Sequence, residues 1–129
     1  MPEIPNHTYL IARYIYFSKY IKSSNQTIKY AAFLPNPIDN KTSVFRITGL
    51  SENDIWLIAN THVTPSQNNT LKGRADINTE DVICHDLGLE PDEPPDRHLN
   101  ITRWSDDKSK NKLIAKELVK KAILCLVRQ

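Results

Sequence analysis

Glycine is scarce in this chain, at 3 residues of 129. Gly49, Gly73 and Gly88 stand far apart, so neither a phosphate-cradling G-x-x-x-x-G-K loop nor a G-x-G-x-x-G fingerprint exists, and nucleotide hydrolysis by a familiar loop is excluded. Two cysteines are too few for a disulfide-stapled scaffold. With no C-x-x-C, no H-E-x-x-H and no Asp-rich calcium loop, neither a metal nor a cofactor is expected. Long apolar runs are also missing: residues 122–127 form the longest, far below the ~20 residues that cross a bilayer. The first six residues lack the basic and apolar regions of a secretory signal, so a cytoplasmic protein away from membranes is expected.

What remains is an ordinary globular composition, 40% hydrophobic and 25% charged, which predicts one domain over residues 1–129. The net charge of +2 conceals a pattern along the chain. Residues 1–50 carry 6 basic and 2 acidic side chains, residues 51–100 carry 3 and 10, and residues 101–129 carry 8 and 3. A middle segment lying between the basic ones and neutralising them is favoured over one basic face opposed to an acidic face.

Alternation and β-propensity predict strands at about 9–19, 27–34, 43–48, 71–77 and 98–104, the second and third joined as a hairpin through the turn residues at 35–40. Ser51 is placed to cap a short helix from 52 to about 60, and Asn78 a second one closed by Gly88. The polar run 61–70 reads as an exposed loop. Residues 91–96, rich in proline and acid, read as an extended connector. Ser105 is expected to cap a long C-terminal helix with Ile114, Leu118, Ala122, Cys125 and Leu126 as its apolar stripe. The fold class is α+β: a mostly antiparallel sheet, two short helices and a long C-terminal helix packed on one face. Cys84 and Cys125 are expected as buried, reduced helical thiols, with a disulfide between them as the alternative.

Arg46, Arg74, Arg97, His98 and Asn100 fall on polar positions of these strands or just ahead of them. If the strands share a sheet, guanidinium forks, an amide and an imidazole collect on its non-core face, a chemistry suited to phosphate or carboxylate. A solvated sheet face, with Asp76, Asp92 or Asp96 pairing to the arginines, is the plainer account and the favoured one. The basic and aromatic stretch at 13–22, with Tyr14, Tyr16, Lys19 and Lys22, suits base stacking and phosphate neutralisation, or else a tyrosine-rich core strand with lysines at its rim. His98 is the best-placed acid or base. Cys84 and His85, adjacent on a helix, point about 100° apart and do not form a nucleophile–base pair.

The strings Tyr30-Ala31-Ala32-Phe33-Leu34-Pro35, Thr42-Ser43-Val44-Phe45-Arg46, Gly73-Arg74-Ala75-Asp76 and Pro94-Pro95-Asp96-Arg97-His98-Leu99-Asn100-Ile101 resemble a group of small uncharacterised bacterial proteins. The resemblance implies a bacterial cytosolic protein and carries over no functional residue. The sequence is thus read as a non-enzymatic module that recognises a partner protein or anionic ligand through Arg46, Arg74, Arg97, His98 and Asn100. A nucleic-acid-binding protein using the N-terminal strand and a small enzyme with His98 as acid/base are the alternatives.

Overall fold

A computed structural model describes residues 9–22, 27–63 and 70–127. Its sheet is built from β1 (Leu10–Ile15), β4 (Thr42–Arg46), β5 (Gly73–Asn78), β6 (Gly88–Pro91), β7 (His98–Thr102) and β8 (Ile123–Leu126), in the spatial order β6-β7-β4-β1-β5-β8. Every ladder is antiparallel. A two-stranded ribbon of β2 (Ile21–Lys22) and β3 (Thr27–Ile28) lies apart from the sheet, and three α-helices, α1 (Glu52–Ile58), α2 (Thr79–Ile83) and α3 (Lys108–Lys121), complete an α+β domain.

Opposed residues of an antiparallel pair share a face, so the register sorts the side chains. Ala12 with Asp76, Tyr14 with Arg74, Phe45 with His98 and Ser43 with Asn100 belong to one face. Ala12, Tyr14 and Phe45 pack there with Ile55 of α1 and Ala59 of the π-helical turn at Ala59–Val63. The other face presents Ile11, Val44, Ala75, Ile77 and Ile101 to Phe33, Val82, Ala115 and Leu118. A sheet covered on both sides needs near-continuous apolar strands, and Ile11, Ala12, Val44 and Phe45 are all buried.

Several boundaries differ from the sequence reading, each for a local reason. The strand expected at 27–34 is cut short at Thr27–Ile28: after β3 the chain coils into a 3₁₀ turn, Tyr30–Phe33, whose consecutive Ala32 and Phe33 are both buried, and Lys112 and Lys116 of α3 reach over the Tyr30 ring. The expected hairpin is absent, because β4 pairs with β1 and β7 instead. The long helix ends at Lys121; Ala122 is extended at φ −81° and ψ 150°, and Cys125 and Leu126 belong to β8 on the free edge of β5. Ser51 caps α1 by accepting from the Asp54 amide, but Asn78 makes no capping side-chain bond. Asp107, not Ser105, caps α3, accepting from the amides of Ser109 and Lys110. Gly88 opens β6 rather than closing α2, and residues 92–97 form the return of a β6–β7 hairpin. Cys84 is exposed, Cys125 is half-buried, and both are free. Residues 64–69 of the expected polar loop lie outside the described residues, as do residues 1–8. Among the described residues no helix is long and apolar enough to cross a membrane.

Candidate functional site

The ladder between β1 and β5 runs for six residue pairs, whereas that between β1 and β4 pairs only Ile11 with Arg46 and Ala12 with Phe45. Beyond Ala12 the two strands part, although β4 stays zipped to β7 as far as Thr42. A cleft of about 630 Å³ opens at this split. Arg13 spans it: Nε donates to the Ala32 carbonyl at 2.9 Å and Nη1 to the Ser43 carbonyl at 3.0 Å, supplying donors that a continuing ladder would have provided. Burial pulls the Arg13 pKa downward, against a smaller opposing influence of Tyr20, yet a guanidinium keeps its charge in a protein. Lys19 and Lys41 line the same cleft, with Asp39 as the one acid among the described residues, and Tyr16, Phe17 and Tyr20 give it an aromatic wall.

Ser43 and Asn100 reach the cleft from β4 and β7. Ser43 Oγ lies 2.7 Å from His98 Nε2, and His98 Nδ1 lies 2.9 Å from the Asp92 carbonyl oxygen and 3.4 Å from Asp92 Oδ2. Asn100 Nδ2 donates to the same carboxylate at 3.1 Å. The imidazole leans on the Phe45 ring, centroids 5.0 Å apart, and the Asp92 amide donates to the His98 carbonyl at 2.9 Å. Ring, hydroxyl and carboxylate are therefore held from β7, from β4 and from the return of the β6–β7 hairpin.

The five residues singled out from the sequence do not form one surface. Arg74, His98 and Asn100 share a sheet face, while Arg46 lies on the other by register and its guanidinium sits 5.6 Å from the Tyr9 ring centroid. Arg97, at φ 72°, directs Nη1 toward the carbonyls of Arg46 and Thr48 at 3.4 Å. Arg74 is 2% exposed and fully engaged: it forks onto both Glu52 oxygens at 2.8 and 3.1 Å, reaches Asp76 at 3.0 Å and stacks 4.7 Å from the Trp56 ring centroid. Burial works against its charge, but the hydrogen bonds it donates to Glu52 and Asp76 prevail and raise its pKa. Asp76 is raised as well, because its burial outweighs the pull of Arg74. Arg74 therefore ties α1 to β5 and offers little to a ligand. Asp92 faces His98, not an arginine.

The basic and aromatic stretch divides. Tyr14 and Tyr16 are core residues, and Tyr14 donates its hydroxyl to the Ile55 carbonyl at 2.6 Å. Lys22 lies in β2 and does not line the cleft, whereas Lys19 does, with its ammonium about 5.5 Å from the Phe17 centroid. Among the described residues the ion pairs of Arg74 with Glu52 and Asp76, His98 with Asp92 and Lys120 with Glu117 all stay within the middle or the last charge segment.

Arg13, Lys41, Ser43 and Asp92 were not singled out as site residues by the alternation of the sequence. Arg13 stood in the basic and aromatic string, and Ser43 in the strand that carries Arg46, but nothing in either pattern signals that two strands diverge. Among the described residues no group of three His, Cys, Asp or Glu side chains gathers closely enough to hold a metal ion. No protein-family model, curated protein or solved structure matches this chain. Fold and site together define an antiparallel sheet, layered with helices, whose split between two central strands is lined by cations and aromatic rings.

Proposed function

We propose that this protein binds a small organic anion in the cleft between β1 and β4. The observation that carries the reading is the gathering of Arg13, Lys19 and Lys41 against a single acid among the described residues, Asp39, beside the rings of Phe17 and Tyr20. Asp39 is partly occupied, since its Oδ1 accepts from the Lys41 amide at 3.1 Å. Guanidinium and ammonium donors suit a phosphate or carboxylate, and the aromatic wall suits an apolar or aromatic remainder on the same ligand. The anion-binding residues are then Arg13, Lys19 and Lys41, with Asn100 at the rim and Arg46, Arg74, Arg97 and His98 outside the lining. An exposed free thiol at Cys84 fits a reducing compartment, and the proposed setting is the cytoplasm.

Calorimetric titration with phenyl phosphate tests this. Exposed charges contribute up to about 1 kcal/mol each, so Lys19→Ala combined with Lys41→Ala is expected to weaken binding roughly tenfold, with the wild-type affinity falling as salt rises. Unchanged affinity in the double variant, or no binding by the wild type at low salt, contradicts the reading.

A further inference from the structure

The imidazole of His98 has only one tautomer open to it when neutral. Nδ1 sits 2.9 Å from the Asp92 carbonyl oxygen, which can only accept, so Nδ1 carries the proton. Nε2 then presents its lone pair, and the group in front of it, at 2.7 Å, is the hydroxyl of Ser43, which must donate. The hydroxyl is thereby polarised by a base whose other nitrogen is held, and Asp92 Oδ2, at 3.4 Å from Nδ1, places a negative charge beside the ring. Asn100 fixes that carboxylate at 3.1 Å, and the Phe45 ring limits how the imidazole tilts. Ser43 itself is exposed and lines the cleft, with its carbonyl pinned by Arg13. Nucleophile, base and orienting group are thus in hydrogen-bonding order, the first two on adjacent strands and the third where β6 enters the hairpin return, at the wall of a cationic cleft.

A hydrogen bond between an exposed serine and a histidine on the next strand also occurs for purely structural reasons. Three features here go beyond that: the enforced tautomer, the carboxylate behind the ring, and the place of exposed Ser43 in the lining of a cavity.

We propose that Ser43 is the nucleophile of an ester hydrolase activity, with His98 as its general base and Asp92 as the residue that orients His98, acting on esters whose acyl part carries a negative charge. The substrate class rests on the anion-binding reading of the cleft. Ser43 Oγ forms a bond to the acyl carbon while its proton passes to His98 Nε2. The bond to the leaving alcohol breaks, and that oxygen takes the proton from Nε2. Water then attacks the acyl-serine and gives a proton to Nε2; the bond from the acyl carbon to Oγ breaks, Oγ recovers the proton, and a carboxylic acid leaves. The cations of Arg13 and Lys41 supply the positive field in which the oxyanion develops.

The test combines two probes on the full chain. A fluorophosphonate should form an adduct on Ser43 with loss of fluoride, located by peptide mass spectrometry, and the p-nitrophenyl monoester of glutarate should be turned over. Ser43→Ala should abolish the adduct, and His98→Gln should lower both labelling and kcat by roughly 100-fold, the lower range of general-base effects, with phenyl phosphate affinity retained. Arg46→Ala, across the sheet, should label like wild type, which separates chemistry from loss of fold. If wild type takes no label and turns over no ester while still binding phenyl phosphate, the catalytic proposal falls and anion binding stands. If binding is absent too, both fall. Equal labelling in wild type and His98→Gln, with both folded, also overturns it.

Discussion

At the scale of single residues, the same polar side chain means different things according to what surrounds it. Arg74 stands in an alternating strand and Arg13 in the basic and aromatic string, yet Arg74 is saturated by two carboxylates and a tryptophan ring, whereas Arg13 bonds to carbonyl oxygens and makes no carboxylate pair among the described residues. Tyr14 shows how burial sets a titration. Desolvation raises its pKa far above the ordinary phenol value, Arg74 pulls the other way and Asp76 adds to the rise, while the neutral hydroxyl donates to the Ile55 carbonyl. A raised pKa in the folded state means that the contribution is whole below the unfolded-state value near 10 and is lost as pH climbs past it, because the unfolded chain releases the proton first. Urea unfolding at successive pH values should show stability falling above pH ~10, by up to ~1.4 kcal/mol per pH unit from this group, and Tyr14→Phe should remove that share of the slope at a cost of about 1 kcal/mol near neutrality. An alkaline slope unchanged in Tyr14→Phe would show that Tyr14 titrates as freely in the folded protein as in the unfolded chain.

Among the elements, β8 shows most clearly where pattern reading stops. A run of Ile123, Leu124, Cys125 and Leu126 satisfies a helical stripe as readily as a strand, and it adjoins a helix with good spacing in Asn111, Ala115 and Leu118. What decides is non-local: β5 would otherwise be left with an open edge, and pairing with it satisfies a row of backbone groups. Gly73 permits that pairing, since a Cβ there would lie 2.7 Å from the Cys125 carbonyl oxygen, a backbone atom with little freedom to withdraw. Gly73→Ala is therefore expected to cost about 1–3 kcal/mol, as overpacking does, and to speed amide hydrogen exchange in residues 123–126 before the rest of the sheet. Uniform exchange across β5 and β8 in the variant would count against this role. The Ser51 cap and the start of α1 could be read from sequence because capping is local; the ends of α3 and the hairpin at 88–102 could not, because strand pairing chooses among local options that are nearly equal in energy.

For the whole molecule, composition and periodicity were enough for the class: one antiparallel sheet with helices, and a C-terminal helix on one face. They did not reveal that the sheet is covered on both sides, because the short helix bearing Ile55 looks the same whether it caps a sheet or lies at its edge. The site was half readable. His98 and Asn100 were found from alternation, but their partners Ser43 and Asp92 come from β4 and the β6–β7 turn, and their proximity depends on a strand order, β6-β7-β4-β1, that no local pattern encodes. The cleft itself follows from a ladder that stops after two pairs, and a missing pair leaves no mark in the sequence. The segmental charge gains a meaning in this setting: the basic first segment supplies Arg13, Lys19 and Lys41 to the cleft, while three acids of the middle segment, Glu52, Asp76 and Asp92, are engaged with Arg74 and His98. The most direct measurement is a two-dimensional amide NMR titration of the ¹⁵N-labelled protein with phenyl phosphate. Shifts concentrated at Arg13, Lys19, Lys41 and Ser43 are the expected result. Shifts centred on Arg46 and Arg97, or none at millimolar ligand, would contradict an anion site between β1 and β4.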